Sequence, residues 1–462
     1  MKQFTKKIHM AGIGGAGMNP LAEVLLSRGH RVSGSDKCVS ESTRRLESLG
    51  IKIQYGHEPD LITGADLLVY SSAVKDDNPE RIYAVDNGIP VIRRAEVLGD
   101  IMRSNFTVCI SGTHGKTTTT SLTGTILTDA KLSPTVLVGG MLKSAGSHAI
   151  VGKGNVIVAE ADEYDRSFLA MYPSIAVITN IEADHLDCYK DIGDIKNTFM
   201  QFTDLVPFDG AVVACVDDMG VKDILPGIRR SVITYGIDEG ADYRAVNIKA
   251  GNERTFFDVL CRGEKLGSVS IGIPGTHNVR NTLAALTVAC EIGIGFDVAA
   301  SSVSGFQGVA RRFEVVGMVD GVTVVDDYAH HPGEISATLE AARGRGYNRI
   351  IAVFQPHLYS RTRDFMDQFA SSLSGADVVI VTDIYKAREL PIPGVNSSDI
   401  AGRINAAGKA KAFYAGNMND IGKELTGKAD SGDLIVFMGA GDIWEAARDF
   451  VTGGKGSNAS KN

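Results

Sequence analysis

The stretch Ser111–Thr120 decides the fold of the central part of this chain, and it reads Ser-Gly-Thr-His-Gly-Lys-Thr-Thr-Thr-Thr. The apolar run Phe106–Ile110 before it is typical of a buried parallel strand, and Thr117–Lys131 after it is predicted to form a helix. A strand, a glycine-rich turn, Lys-Thr and a helix together indicate a phosphate cradle. The glycines let backbone N–H groups face the phosphates, and the helix N-terminus adds the positive end of its dipole.

We expect this cradle to bind ATP, with Lys116 at the β- and γ-phosphates and the Thr117 hydroxyl on Mg²⁺. The loop is shorter than the general P-loop pattern and has the form Gly-x-x-Gly-Lys-Thr. The alternative is a Thr-rich turn with an ordinary surface lysine, which the flanking strand and helix disfavour. The predicted nucleotide-binding residues of the loop are Gly112, Thr113, His114, Gly115, Lys116, Thr117 and Thr118.

Length and composition narrow the class of protein. The 462 residues predict two to four domains. The net charge of −8 disfavours a nucleic-acid-binding surface, so we expect no nucleic-acid partner. Six scattered cysteines without a Cys-x-x-Cys pair favour a reducing compartment, and we expect a cytoplasmic protein. The polar start and the lack of a bilayer-length apolar run predict neither a signal peptide nor membrane insertion.

The N-terminal part reads as a strand–helix–strand unit. Strands are predicted at Lys7–Ala11 and Arg31–Ser35, with a helix at about Met18–Arg28 between them. The intervening turn has the form Gly-x-Gly-x-x-Gly, and an acid follows roughly 20 residues on, which matches the dinucleotide fingerprint. NAD, FAD and nucleotide-sugars all use such a diphosphate seat, and a tight turn without a ligand is the further alternative. The predicted binding residues are Gly12, Gly14, Gly15, Gly17 and Asp36.

Two hydroxyls follow the predicted strand at Leu67–Ser71. Ser71 and Ser72 lie at its carboxyl end, where they could bind the same diphosphate, although an ordinary Ser/Thr turn explains them equally well. A last short strand at Pro90–Ile92 completes this domain, whose end we predict near residue 103.

Acidic residues follow the strand predicted at Val156–Ala159. Glu160 stands at its end, next to the predicted P-loop strand, where Mg²⁺ needs an oxygen ligand. Glu160 is favoured over the other acids of the run because it alone is at the strand terminus, and a solvated loop is the alternative. A further strand, Ile175–Thr179, leads to His185, which is flanked by acids and suits a metal or water position.

Short β-rich stretches separated by polar turns predict four strands within residues 230–273. We expect these strands to form an antiparallel sheet appended to the parallel one. An alanine-rich helix then begins near Pro274. Asn278 and Asn281 are three residues apart on one face of that helix, where their amides can read an adenine edge. Capping of the helix by Thr276 or Asn278 is a second explanation and does not exclude the first.

The third domain is predicted to start near residue 313. Four strands, at Val322–Val325, Ile350–Phe354, Val378–Thr382 and Leu434–Met438, are each followed by polar residues. Because ligands bind at the carboxyl edge of open α/β sheets, four such clusters on one edge indicate a site. The paired arginines Arg311-Arg312 near the junction could contact phosphate, or nothing.

Together these motifs resemble the Mur ligase family of bacterial peptidoglycan synthesis over nearly the whole chain. The resemblance is carried by Gly12–Met18, Gly112–Thr118, Glu160–Glu163, Thr179–His185, His277–Asn281, Arg311–Glu314, Asp326–Pro332 and Phe354–His357. It implies an α/β protein of three domains. These are a UDP-sugar-binding Rossmann-like domain at residues 1–103, a P-loop ATP-binding central domain with the appended antiparallel sheet at 104–312, and an amino-acid-binding Rossmann-like C-terminal domain at 313–462.

The resemblance also implies an activity. Among family members the motifs are most similar to the ligases that use ATP to join L-alanine to the lactyl carboxylate of UDP-N-acetylmuramate through an acyl phosphate. It assigns charge stabilisation at the γ-phosphate to Lys116, Mg²⁺ to Thr117, Glu160 and His185, and the nucleotide to Asn278 and Asn281. It assigns phosphate contact to Arg312, and it places Tyr328, His330, His357 and Arg361 around the amino acid. The implied catalytic residues are Lys116, His185, Arg312 and His330, in a monomer or weak homodimer.

One position departs from the family pattern, since residue 358 is Leu where many relatives have Arg. The nearest rival function is the related recycling ligase, which attaches a murein tripeptide to the same UDP-sugar. An NAD-dependent oxidoreductase would explain the first glycine-rich turn but leaves Lys116, Glu160 and Asn278 without a role. A nucleotide-gated binding protein without catalysis is the third possibility.

Overall fold

The computed structural model describes residues 5–143, 146–184, 188–387, 389–425 and 427–458. The chain forms two compact units. Their residues are Met1–Val246, Asp258–Val269 and Arg280–Phe306 for the first, and Asn247–Phe257, Ser270–Val279 and Gln307–Asn462 for the second. Three sheets run through these units, and the domain boundaries near residues 103 and 313 remain predictions.

The first sheet is parallel and has the strand order β3-β2-β1-β4-β5. The chain leaves β1 in one direction for β2 and β3 and returns on its other side for β4 and β5, so the order reverses between β1 and β4. A ligand crevice is expected at this reversal. The elements are β1 Lys7–Ala11, α1 Met18–Ser27, β2 Arg31–Asp36, α2 Glu41–Ser48, β3 Lys52–Tyr55, β4 Leu67–Tyr70, α3 Pro79–Asp86, β5 Val91–Arg93 and α4 Arg94–Met102.

The second sheet has ten strands in the order β15-β14-β13-β12-β11-β10-β6-β9-β7-β8. Its strands are β6 Phe106–Ser111, β7 Thr135–Leu142, β8 Ser147–Ile150, β9 Val156–Glu160, β10 Ile175–Ile178, β11 Ala211–Cys215, β12 Ser231–Gly236, β13 Tyr243–Ala250, β14 Thr255–Cys261 and β15 Glu264–Ile271. Its helices are α5 Lys116–Asp129, α6 Ile192–Asp204, α7 Met219–Ile224, α8 Thr276–Glu291 and α9 Phe296–Ser304, with short 3₁₀ helices at Tyr164–Ala170 and Leu225–Gly227.

The strands predicted after residue 230 continue this sheet, as expected, but the first two of them pair in parallel rather than antiparallel. β12 lies parallel to β11, with Ala211 opposite Ser231, and it is also parallel to β13. The helix α7 lies between β11 and β12 along the chain, and a helical crossover of this kind returns the chain in the same direction. The parallel part of the sheet therefore includes β12 and β13, two of the four strands that the sequence indicated as antiparallel.

The third sheet has the order β16-β17-β21-β18-β19-β20, and only the edge strand β16 is antiparallel to its neighbour. The four strands predicted here are confirmed, although β17 extends to Asp327. The elements are β16 Glu314–Val319, β17 Val322–Asp327, α10 Pro332–Arg343, β18 Ile350–Phe354, α11 Tyr359–Asp364, α12 Met366–Leu373, β19 Val378–Thr382, α13 Ser398–Ala407, β20 Lys411–Gly416, a 3₁₀ turn at Met418–Asp420, α14 Ile421–Leu425, β21 Leu434–Met438 and α15 Ile443–Asn458.

The central strands of the sheets are buried on both faces, which explains why they read as continuous apolar runs. Every residue of β18 and β21 is buried, and near-continuous apolar strands are typical of parallel sheets covered by helices. Of the helices in the described part of the chain, none is both long enough and apolar enough to cross a membrane.

An aromatic cluster beside the second sheet offers a test of the core. The ring of Phe168 is fully buried, stacks on Phe202 with centroids 4.6 Å apart and meets Phe199 edge-on at 5.2 Å. We expect Phe168→Ala to lower the free energy of unfolding by about 3–5 kcal/mol, because it leaves a cavity as well as losing apolar burial. The matched control is Phe208→Ala, whose ring is 93% exposed. Urea denaturation that shows equal effects for both variants would contradict this packing.

Candidate active site

The phosphate loop predicted between β6 and α5 is present and depends on its glycines. Gly112 and Gly115 have φ angles of 130° and 82°, which favour glycine. A Cβ at Gly112 would lie 2.0 Å from the hydroxyl oxygen of Thr179, and one at Gly115 would lie 2.4 Å from Oδ1 of Asn281. The structure therefore brings Asn281, predicted from a separate motif, against this loop.

The segment after β10 holds the loop in place. The backbone N–H groups of Thr113 and His114 donate to the carbonyl and side-chain oxygens of Asn180, at 3.1 and 2.8 Å. The hydroxyl of Thr179 donates to the His114 carbonyl oxygen at 2.6 Å. Thr117 and Thr118 continue into the first turn of α5 and are buried. The loop is thus clamped by the Thr-Asn pair that the sequence motif contains.

Lys116 forms an ion pair that the sequence did not predict. Its Nζ lies 2.8 Å from Oε2 of Glu163 and donates to the Gly112 carbonyl oxygen at 2.6 Å. Burial disfavours the positive charge, but the carboxylates of Glu163, Asp162 and Glu160 outweigh it and raise the pKa of Lys116. The ammonium group is therefore held charged beside the loop. No periodicity marks Glu163, because its position depends on how the chain turns after β9.

The structure describes two of the three predicted metal ligands, Glu160 and Thr117. Glu160 ends β9 and pairs with Ile110 of the adjacent β6, as expected for the strand next to the loop. Its Oε1 accepts a hydrogen bond of 2.8 Å from the N–H of Gly139. Thr117 lies at the start of α5, after the same edge of the sheet. His185 lies outside the described residues, so its metal role remains a prediction.

Asn278, the other predicted nucleotide contact, lies in the first turn of α8 and is buried. Its side-chain Nδ2 donates to the carbonyl oxygen of Pro274 at 2.6 Å. This bond ties the side chain to the chain segment before the helix, in agreement with a local structural role at the helix start. Contact with adenine remains a prediction.

The glycine-rich turn of the first domain has the expected geometry. The Gly12 N–H donates to the Ser35 carbonyl oxygen at 2.8 Å, and the Gly14 N–H donates to Oδ2 of Asp36 at 2.8 Å. A Cβ on Gly12 would lie 3.2 Å from the hydroxyl oxygen of Ser71, so Ser71 faces the turn, whereas Ser72 is exposed. Asp36 therefore holds an N–H donor of the turn.

A buried polar network behind this turn was missed by sequence reasoning. Oε1 of Glu80 lies 2.9 Å from Nε2 of His9, and its Oε2 accepts from the Ser35 hydroxyl at 2.6 Å and lies 2.9 Å from Nδ1 of His57. Burial favours the neutral carboxyl, but the three hydrogen bonds outweigh it and lower the pKa of Glu80. Because Ser35 also accepts from Gly12, the network fixes the end of β2 against the turn.

Aromatic and imidazole rings gather at the carboxyl edge of the third sheet, as predicted. The ring of His330 lies 5.3 Å from Tyr328 and 5.9 Å from His357, both edge-on. His357 stacks on Tyr385 with centroids 5.7 Å apart. These residues follow β17, β18 and β19, so three separate strands supply one continuous cluster.

Carboxylates position the basic groups of this edge. Oε2 of Glu334 accepts from the backbone N–H of His330 at 3.0 Å and lies 3.2 Å from its Nδ1. Nη1 of Arg312 lies 3.6 Å from Oε1 of the same Glu334. Glu334 therefore contacts both basic groups.

The helix α11 follows at the same edge of the sheet. Arg361 is a buried residue of α11, and Leu358, the N-cap of that helix, has a φ of 69°. The position that departs from the family pattern is therefore also a strained one.

The sequence matches three domain models of one protein family, one after another along the chain. Residues 7–106 match the Mur ligase family catalytic domain, residues 110–289 the Mur ligase middle domain, and residues 311–441 the Mur ligase glutamate ligase domain. The chain belongs to the Mur ligase family.

Similarity to individual Mur ligases extends over almost the full length. The chain is 48% identical over 448 residues to the UDP-N-acetylmuramate–L-alanine ligase of Salinibacter ruber. The aligned region covers 96% of this chain and 94% of that protein. The fold is similar to the crystal structure of the UDP-N-acetylmuramate–alanine ligase of Thermotoga maritima, with a TM-score of 0.84, 29% identity and coverage of 98% and 100%. A murein peptide ligase of Psychrobacter arcticus matches with a TM-score of 0.71, 26% identity and coverage of 97% and 98%.

The Mur ligase residues that are described fit ATP and Mg²⁺. The loop packs so closely at Gly112 and Gly115 that no side chain fits there, and the charged Lys116 lies beside it. Glu160 and Thr117 supply the hard oxygen donors that Mg²⁺ prefers. The ammonium group of Lys116 and the oxygens of Glu160 and Thr117 thus suit a nucleoside triphosphate with its cation.

One carboxyl group at the edge of the third sheet, that of Asp326, has a raised pKa. Asp326, predicted to follow β17, is a buried residue of that strand, and within the described chain its Oδ1 has no hydrogen-bond partner. Burial raises its pKa to about 6; Arg311, 3.2 Å away, opposes the shift, and Asp327 and Glu314 add to it.

The native state therefore binds a proton at Asp326 that the unfolded chain has already released, between about pH 4 and pH 6. We expect the free energy of unfolding, relative to Asp326→Asn, to fall by about 1–3 kcal/mol as pH rises through this window. Urea denaturation of both proteins across pH 4–8 measures this difference in the free energy of unfolding. The control is Asp60→Asn, because Asp60 is exposed. A constant difference between wild type and Asp326→Asn would refute the shift.

Proposed function

We propose that this Mur ligase joins L-alanine to the lactyl carboxylate of UDP-N-acetylmuramate, with ATP converted to ADP and phosphate, in peptidoglycan synthesis. The observation that carries the proposal is the identity of 48% to an alanine ligase over nearly the whole of both chains. The geometry supports it independently, because a phosphate loop with a charged lysine and a ring of imidazole and phenol groups are the parts that this chemistry needs.

In the first step, a carboxylate oxygen of the sugar attacks the γ-phosphorus of ATP, the bond to the β-phosphate oxygen breaks, and an acyl phosphate and ADP form. The two reactants are anions and repel each other. Lys116, the loop N–H groups and the N-terminus of α5 offset that charge, since catalysis of phosphoryl transfer rests mostly on positioning and electrostatics. Mg²⁺, bound through Thr117 and Glu160 together with His185, would neutralise charge on the phosphate oxygens.

In the second step, the amine of alanine attacks the acyl carbon, and phosphate leaves with the electron pair of the broken bond. Tyr328, His330 and His357 surround the amino acid in this proposal, and Arg361 pairs with its carboxylate as a bidentate donor. The imidazole of His330, held by Glu334, can take the proton that the amine loses. Arg312 contacts phosphate, and Asn278 and Asn281 face the adenine.

The first sheet binds the UDP part of the sugar in this proposal. Its glycine-rich turn and Ser71 lie at the reversal of the strand order, which is where α/β sheets hold nucleotide phosphates. Asp36 contributes through the N–H of Gly14, and Ser72 remains a candidate contact.

The amino acid specificity can be tested by phosphate release. We expect Mg-ATP and UDP-N-acetylmuramate to release phosphate when L-alanine is added, and not when it is omitted or replaced by murein tripeptide, because the acyl phosphate needs its own amine acceptor. Turnover only with the tripeptide would assign the recycling reaction instead. No turnover in any mixture would overturn the proposal as a whole.

The role of Lys116 predicts a second result. We expect Lys116→Ala to lower kcat for phosphate release by about 100- to 1000-fold, as for other groups that stabilise transition-state charge. Because the change also removes the cation facing the buried Glu163, the double variant Lys116→Ala/Glu163→Gln and a thermal unfolding scan separate catalysis from folding. The exposed Lys153→Ala is the control. A folded Lys116→Ala variant with full kcat would exclude the role.

A further inference from the structure

The carboxylate of Glu163 binds the ammonium group of Lys116 beside the predicted phosphate loop. Its Oε2 and Oε1 lie 2.8 and 3.1 Å from Nζ, and the side chain is buried. The carbonyl oxygens of Gly112 and Thr113 accept from the same Nζ at 2.6 and 3.3 Å. An ammonium group has three protons to donate, so these three partners use all of them. A phosphate oxygen can bind Nζ only if one of the partners leaves.

Glu163 is the partner that a phosphate can replace while the charge of Lys116 stays compensated. The two carbonyl oxygens are uncharged parts of the loop backbone, whereas the Glu163 carboxylate forms the ion pair. When a phosphate oxygen takes its place, the ammonium group remains paired with an anion, and the two carbonyl oxygens still hold Nζ at the loop. The exchange therefore replaces one anion by another and leaves the position of the lysine unchanged.

The backbone of Glu163 is held by contacts that do not involve Lys116. Its carbonyl oxygen accepts from the Tyr189 hydroxyl at 2.5 Å and from the Arg166 N–H at 2.9 Å. The guanidinium group of Arg166 donates to both carboxylate oxygens of Asp194, at 2.9 and 2.8 Å, and lies over the Tyr189 ring. The backbone of Glu163 therefore stays fixed when its side chain releases the ammonium group, and the carboxylate remains near enough to bind it again.

The neighbouring aspartates do not share this contact. Asp162 is exposed, and its Oδ1 accepts from the Tyr164 N–H at 3.3 Å. Asp165 is also exposed and has a φ of 54°, a conformation that Asp and Asn adopt more readily than most residues. Within the described part of the chain, Glu163 is the one carboxylate that binds Nζ of Lys116. Asp165 therefore provides a nearby acid whose removal leaves the ion pair intact.

We propose that Glu163 is a positioning residue that occupies the place of the γ-phosphate on Lys116 until ATP binds, and that pairs with Lys116 again once the γ-phosphoryl group has been transferred. The identity of the ligand as ATP rests on the proposed function, whereas the exchange rests on the three partners of Nζ. ATP must displace the Glu163 carboxylate, which costs free energy because that carboxylate is buried. ADP has no γ-phosphate and competes less, so Glu163 lowers the affinity for ATP more than the affinity for ADP.

Equilibrium binding of two nucleotides to the full chain tests this exchange, namely ADP and the non-hydrolysable β,γ-imido analogue of ATP, both with Mg²⁺. We expect Glu163→Gln to bind the analogue about threefold to thirtyfold more tightly, because the amide oxygen still accepts from Nζ but the competing negative charge is gone. The affinity for ADP should change by less than about twofold. The control Asp165→Asn should stay within about twofold of the wild type for both nucleotides.

A second variant keeps the test independent of how well Glu163→Gln folds. Glu163→Asp retains the charge on a shorter side chain, which weakens the ion pair with Lys116. It should strengthen binding of the analogue in the same direction as Glu163→Gln, but by a smaller factor. Thermal unfolding without nucleotide shows which of the two variants is folded.

Three results would overturn the inference. Unchanged affinity of Glu163→Gln for the analogue would show that the carboxylate does not compete with the γ-phosphate. Weaker binding of the analogue would show that Glu163 supports the lysine in its contact with phosphate. Equal strengthening of ADP and the analogue would show a general effect on the shape of the loop.

The binding measurements contain neither UDP-N-acetylmuramate nor L-alanine, which separates this inference from the proposed function. A chain that shows the expected exchange but releases no phosphate with L-alanine disproves the proposed reaction and supports the exchange. Normal phosphate release with L-alanine, together with an unchanged affinity of Glu163→Gln for the analogue, disproves the exchange alone.

Discussion

Parallel strands deliver their carboxyl ends to one edge of a sheet, and all the candidate sites of this protein depend on that constraint. The glycine-rich turn follows β1, the phosphate loop follows β6, and the ring cluster follows β17, β18 and β19. Each loop is short, so its backbone donors and polar side chains remain next to the strand end that presents them. Helical crossovers keep the strands parallel and bury both faces, which leaves the edge as the accessible part of each sheet.

The lysine of the predicted phosphate loop has its charge compensated within the chain. At the phosphate loop, Lys116 already faces the carboxylate of Glu163, 2.8 Å away, so the cation is stable before any anion arrives. A phosphate that binds Lys116 must compete with that carboxylate. This ion pair favours a stable loop in the absence of a ligand.

Carboxylates also organise groups that the proposed reaction uses. Glu80 receives hydrogen bonds from three side chains and fixes the end of β2, while Glu334 holds both His330 and Arg312. These acids do not face the substrate in the proposed reaction. They set the position of groups that do, and a hydrogen-bonded buried network of this kind is rigid because each missing partner would leave a costly unsatisfied atom.

The sequence alone determined the strand–turn–helix pattern, the glycines of both turns and the polar strand ends, because apolar periodicity and glycine positions are local properties. It also carried the family resemblance, and with it the expected reaction. Only the tertiary structure decided the partners of those residues. Glu163 meets Lys116, Glu80 joins His9 to His57, and Asp326 is buried, because each of these depends on how distant segments fold together. No spacing along the chain encodes such a contact.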